Sequence, residues 1–176
     1  VHAMLELAGI PRNSHYSAID VGCGNGWVCR TIAEDKMCSH VVGVDGSSRM
    51  VEKAHALDEQ GEYHLALLPD WEPSRRFDLI HSMEFLYYLH DPQTMLKLFH
   101  EKWLNNGGML VAGVDHYLEN ENSLSWPEAL NVHMTTLSID QWKTAMVDAG
   151  FIDVEVHQVG KKEGFIGTLV LLGKKG

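Results

Sequence analysis

Ala18-Ile19-Asp20-Val21-Gly22-Cys23-Gly24-Asn25-Gly26-Trp27 decides how this chain is read. A short apolar run enters a glycine loop, and a helix follows. Glycines at alternate positions turn the backbone tightly and let its N–H groups approach a ligand with no Cβ in the way. The helix that follows points the positive end of its dipole into the same crevice. Downstream, Val41-Val42-Gly43-Val44-Asp45 is a second apolar run, closed by a carboxylate. At the tip of a neighbouring strand, a carboxylate accepts hydrogen bonds from both hydroxyls of a ribose. Loop and carboxylate together imply a nucleoside-bearing cofactor.

The loop's details narrow the choice. A dinucleotide fingerprint has G-x-G-x-x-G, its third glycine allowing close helix–strand packing. Here Gly22-Cys23-Gly24-Asn25-Gly26 is G-x-G-x-G, with bulky Trp27 in the place of that third glycine. Asp20 also sets a negative charge beside the loop, unfavourable for a pyrophosphate and suitable for an ammonium or sulfonium. These residues resemble the first motif of class I S-adenosylmethionine-dependent methyltransferases, of the small-molecule, ubiquinone-biosynthesis-like type. Gly43-Val44-Asp45 resembles that family's ribose-binding motif. The resemblance implies S-adenosylmethionine as cofactor, held by Asp20, Gly22, Cys23, Gly24, Asn25, Gly26 and Asp45, with Gly46, Ser47 and Met50 just beyond. Cys23 is read as a small turn residue, not a nucleophile.

The resemblance continues along the chain, from about Ser17 to Lys174. Phe77-Asp78-Leu79-Ile80-His81-Ser82 looks like the fourth strand, and Met83 to Leu89 like the segment beside the cofactor. Asp91-Pro92 opens a helix, with aspartate at the N-cap and proline at the first helical position. That helix is predicted over Gln93 to Leu104, ended by Asn105-Asn106-Gly107-Gly108 and followed by the strand Met109 to Val114. Ser138-Ile139-Asp140-Gln141 reads as a capping box for a last helix to Ala149, stopped by Gly150. Phe151 to Val159 and Gly167 to Leu172 form two consecutive strands. The fold class predicted is α/β: a Rossmann-like, doubly wound, seven-stranded, mostly parallel sheet with an antiparallel C-terminal strand. One methyltransferase domain is expected over residues 1–176.

Composition limits the functions open to such a domain. Hydrophobic content of 45% and charged content of 22% are those of a globular protein. No apolar run approaches the roughly 18 residues of a membrane span, and no signal peptide pattern is visible. Three cysteines without knuckle spacing point to a reduced, cytoplasmic setting. A formal net charge of −10 argues against a nucleic-acid substrate. The Asn/Asp/Ser-Pro-Pro-aromatic tetrapeptide of base-directed methyltransferases is replaced by His81-Ser82-Met83-Glu84. The 11 histidines show no metal-ligand spacing, so no metal is expected. Oligomeric state is left open.

Two places depart from the family pattern. The acidic residue expected near the adenine after the third strand has no clear counterpart in Glu62 to Trp71. Asp70 with Trp71 on the adenine face is one solution, and backbone groups of Ala66 or Leu67 are another. The stretch before the first strand is short, and Val1 to Gly9 looks like the end of a helix. A lid over the acceptor is therefore expected to be truncated here.

Methyl transfer from a sulfonium is an in-line displacement, so the protein's main work is to align and desolvate the reactants. A base helps when the acceptor is an oxygen or a protonated amine; His81, Glu84 and His133 are the candidates, His81 also counting among the cofactor contacts. A small-molecule acceptor at nitrogen or oxygen is expected between Tyr87, Tyr88 and the long Asp115–Leu137 segment, which carries Trp126. Long connections at the carboxyl edge of an open α/β sheet tend to be functional. The alternatives are a nicotinamide-dependent oxidoreductase on a Rossmann domain and a non-catalytic methyltransferase-like module.

Overall fold

The computed structural model describes residues 1–9 and 14–176. Its seven strands are β1 Tyr16–Val21, β2 Cys38–Asp45, β3 Glu62–Leu65, β4 Phe77–Met83, β5 Leu104–Val114, β6 Ile152–Val159 and β7 Thr168–Lys174. They form one sheet in the order β3-β2-β1-β4-β5-β7-β6. β1, β2, β3, β4 and β5 pair in parallel, whereas β7 runs antiparallel to both β5 and β6. The predicted fold class is the observed one.

Helices cover both faces, because the central strands carry apolar side chains in both directions. On one face α1 (His2–Leu7) with its C-cap Ala8, and α2 (Trp27–Ala33), bury Met4, Ala8, Val28 and Ile32 against Ala18, Leu79, Val111 and Val170. α3 (Ser48–Leu57) adds Val51 and Ala54 beside Cys23, Cys29 and Tyr63. On the other face α4 (Pro92–Leu98) and α6 (Ile139–Asp148) press Met95, Leu96, Trp142 and Met146 onto Ile19, Ile80, Leu110 and Leu171. α5 (Trp126–Leu130) lies in the connection after β5 and buries none of its residues.

Local signals set several boundaries. Asp91 caps α4 by accepting the Thr94 amide, with Pro92 at the first turn. Both halves of the Ser138/Gln141 capping box form on α6, and Gly150 follows it at φ +100°.

The predicted helix from Gln93 to Leu104 needs correction. The α-helix ends at Leu98, and Phe99–Trp103 is a π-helical turn that buries Phe99 and Trp103. Leu104 already belongs to β5, paired with Phe77, and the register slips before Leu79 meets Met109. Asn105 to Gly108 therefore form an irregular stretch within a strand instead of a loop before one. Strand pairing overrides the helical periodicity there.

Ser138→Ala deletes the acceptor of the Gln141 amide and should cost about 1 kcal/mol. In urea unfolding the midpoint should fall with the slope unchanged.

Candidate active site

The glycine loop is tied to β2 through the backbone. The amides of Gly22 and Cys23 both donate to the Val44 carbonyl, at 2.9 and 3.0 Å. The Asp45 carboxylate then accepts the Gly24 amide on Oδ2 and the Ser47 amide on Oδ1, each at 2.8 Å. Gly22 has φ +76° and Gly24 φ +54°, in the left-handed region that disfavours any residue with a Cβ. A Cβ at Gly22 would stand 2.9 Å from the Cβ of Phe85, whereas one at Gly24 would meet nothing within 4 Å. Gly22 is thus packed against the chain leaving β4, and Gly24 borders open space.

A cavity of about 370 Å³ lies at this carboxyl edge. Gly22, Val44, Asp45, Gly46 and Ser47 line it on one side, Ala66, Leu67 and Leu68 beyond β3, and Glu84, Phe85 and Tyr88 beyond β4. Six positions singled out from the sequence for binding or catalysis are brought together there: Gly22, Asp45, Gly46, Ser47, Glu84 and Tyr88. Ala66 and Leu67, one of the two adenine options, also line it. Asp70 and Trp71, the other option, do not; Asp70 is exposed, and Trp71 stands edge-on to Trp103 at 5.7 Å.

Other candidates lie beside the cavity or away from it. Asp20 pairs in register with His81 across β1 and β4. Both are buried, and His81 Nδ1 is 2.7 Å from Asp20 Oδ1. The Cys29 thiol donates to Asp20 Oδ2 at 3.9 Å. Its hydrogen bond to Cys23, with burial, pushes that thiol well above the usual range. Asn25 accepts the Trp27 amide on its side chain and the Arg30 guanidinium on its carbonyl. Gly26 is the N-cap of α2, and Met50 is exposed on α3. His133 stacks on His90 with ring centroids 3.7 Å apart and meets the Thr135 hydroxyl at 3.0 Å, outside the cavity lining. Trp126 is half-buried, its ring 6.4 Å from that of His116.

Glu84 is the most constrained side chain at the cavity. It follows β4 directly with φ +57°, and its amide donates to the Gly113 carbonyl at 2.9 Å. Its Oε2 accepts the Tyr87 hydroxyl and its Oε1 the Asp115 amide, both at 2.7 Å. Burial raises the carboxyl to about 7; the bond from Tyr87 opposes the rise, and the charge of Asp115 adds to it. Burial, then the Glu84 charge, push the Tyr87 phenol far above its usual range, so it stays a donor. Asp115 Oδ1 is buried without a hydrogen-bond partner among the described residues.

Phe85 and Asp115 escaped the sequence analysis as site residues. Phe85 lay within a segment placed beside the cofactor and Asp115 opened the long connection, but neither carries a distinguishing motif. His116 anchors that connection: its Nδ1–H donates to the Ser123 carbonyl at 3.0 Å, leaving Nε2 to accept from Thr136 at 2.8 Å. Burial lowers its pKa and favours this neutral form.

Residues 2–156 match the model of a family described as "Methyltransferase domain". The chain is 37% identical over 106 residues to a trans-aconitate 2-methyltransferase of Methylobacterium radiotolerans, a match covering 60% of this chain and 40% of that one. The matched stretch is thus less than half of that relative's length. The methyltransferase in a complex with the Trm112 methyltransferase activator of Haloferax volcanii superposes with a TM-score of 0.83 at 25% identity, over 98% of this chain and 87% of that one. An S-adenosylmethionine-dependent methyltransferase of Mesorhizobium loti gives 0.81 at 21% identity, over 99% and 96%.

Because the folded state holds the Glu84 proton to about pH 7 against an ordinary value of 4.5, ionising it opposes folding. Stability is therefore lost as pH rises through that window. Glu84→Gln should be the more stable form at pH 8, by on the order of 3 kcal/mol, with the gap closing toward pH 5. Thermal unfolding of both proteins at the two pH values reads this directly.

Proposed function

The chain belongs to the methyltransferase-domain family, and we propose that it transfers a methyl group from S-adenosylmethionine to a small organic molecule at nitrogen or oxygen. One observation carries the donor assignment: Asp45 uses one acceptor position on each oxygen to hold the Gly24 and Ser47 amides at the cavity's edge. A carboxylate offers about four such positions, so both oxygens keep capacity for a ribose diol. The open space beside Gly24 fits a backbone approach to the methionine portion, flanked by Gly22 and Asn25. Ala66, Leu67 and Leu68 offer an apolar wall and backbone groups to an adenine. Asp20, held by His81, fixes the base of the loop.

Bound there, the donor supplies an electrophilic methyl on a sulfonium sulfur, displaced in line. The protein's part is to hold the acceptor, exclude water and manage its proton. Tyr88, 43% exposed and part of the cavity lining, offers an aromatic face for the acceptor. Buried Tyr87 backs Tyr88, with ring centroids 4.6 Å apart, and the Asp115–Leu137 segment is tied to it by the Thr135 amide, which donates to the Tyr87 carbonyl at 2.7 Å. The net charge of −10 supports a small neutral or cationic acceptor over a nucleic acid.

Calorimetric titration with S-adenosylhomocysteine tests the donor site, with NADH as the competing cofactor class. The wild-type chain should bind the first and not the second. Asp45→Ala removes the two bonds to the ribose, each worth about 1.5–3 kcal/mol, so affinity should drop at least about tenfold. Unchanged affinity in a folded Asp45→Ala variant refutes the assignment.

A further inference from the structure

We infer that Glu84 takes the acceptor's proton and that the cavity selects an amine, docked as its ammonium ion between Glu84 and Tyr88, over any polycarboxylate. The inference deepens the reading above and rests on it.

Of the three bases open from the sequence, position leaves one. His81 is buried with Nδ1 on Asp20. His133 is engaged with His90 and Thr135, outside the cavity lining. Glu84 lines the cavity and is held at three points, by Gly113, Tyr87 and Asp115. A left-handed, non-glycine backbone persists only where its surroundings over-determine it, and such strain gathers at functional positions.

The charge of the surroundings specifies the ligand. Each Glu84 oxygen accepts one protein hydrogen bond and retains a further acceptor position. Asp45 adds a second carboxylate to the lining, and behind Glu84 the Asp115 Oδ1 is buried with no donor among the described residues. Among the described residues, neither lysine, arginine nor histidine lines the cavity. A polycarboxylate would enter against the like charge of these carboxylates, with no side-chain cation in the lining to pair with it. An ammonium ion supplies a donor for the open Glu84 acceptor positions and the opposite charge, and the face of Tyr88 attracts a cation.

The proton step balances within these groups. The ammonium N–H bond breaks with its electron pair left on nitrogen, and an O–H bond forms on the ionised Glu84 carboxylate. The neutral amine then carries the lone pair that the methyl displacement needs. A carboxyl near neutrality suits the exchange. Tyr87 from the turn after β4 and Asp115 just past β5 act on it directly, and Tyr88 and Asp45 share the cavity lining with it. His116 lies behind Tyr87, with ring centroids 5.7 Å apart.

The test uses the whole chain, with S-adenosylhomocysteine as the donor-site probe and ethanolamine, phenethylamine and trans-aconitate as acceptor probes. In NMR on glutamate-labelled protein, the Glu84 carboxyl is the signal lost in Glu84→Gln. It should titrate near neutrality, and at least one amine should lower its pKa and be methylated. The corresponding kcat/KM should rise with pH to a plateau above about 7. Glu84→Gln should lower kcat/KM by about 100-fold or more and abolish that limb, with S-adenosylhomocysteine affinity unchanged. Tyr87→Phe removes a donor that favours the ionised carboxyl, so its limb should move to higher pH. Methylation of trans-aconitate in place of the amines, or a carboxyl signal that neither amine moves, overturns the inference. So does a tenfold loss of S-adenosylhomocysteine affinity in Glu84→Gln, which would assign the carboxyl to the donor. Failure of the wild-type chain to bind S-adenosylhomocysteine removes the donor reading itself, and the inference with it.

Discussion

Parallel pairing of β1 with β2 on one side and β4 on the other sets the level at which everything else meets. Ile19 lies opposite Val42 in β2 and Ile80 in β4, so the three strands finish at one edge. Because these strands and their neighbours β3 and β5 pair in parallel, each crossover returns the chain to the far edge. The residues just past each strand then converge without further instruction: the glycine loop after β1, Gly46 and Ser47 after β2, Glu84 and Phe85 after β4. A slip of one residue in any pairing would turn these side chains to the other face. The site is therefore only as precise as the register.

Two carboxylates near the loop have opposite environments. Asp45 meets backbone amides at the cavity and stays within reach of a ligand. Asp20 is 2% exposed, with His81 and the Cys29 thiol as partners. Removing one partner of such a buried pair leaves the other uncompensated, which is strongly destabilising, whereas replacing both by apolar groups is often neutral. Asp20 and His81 thus act together, joining the base of the loop to β4.

Legibility in the sequence followed the range of the deciding interaction. The caps at Asp91 and Ser138, and the glycine loop itself, depend on neighbours a few residues away and could be placed from the sequence. So could the alternation that defines the sheet. The start of β5 could not, because Leu104 is recruited by Phe77 while its own neighbours carry a helical pattern. Within the site, Asp45, Ser47 and Tyr88 fell in recognisable positions. The separation of Glu84 from His81 as candidate bases required burial and the positive φ of Glu84, both set by distant chain. Asp115 matters through its amide and one orphaned oxygen, which no residue pattern announces.

The order of the last two strands bears on how the fold is reached. β7 lies between β5 and β6, and it is the strand β6 pairs with. Until Thr168–Lys174 arrives, the β5 edge from Met109 to Val114 has no neighbour there, and β6 has none to join. During synthesis an apolar edge therefore waits uncovered while α5, α6 and β6 are made, which is the condition for edge-to-edge aggregation. Pairings across such a separation also slow folding, since loop closure precedes the contacts that reward it. Cutting the chain before Thr168 would do more than shorten the sheet. It would expose Val111 and Leu110 and release β6, turning a late-forming seam into the weakest point of assembly.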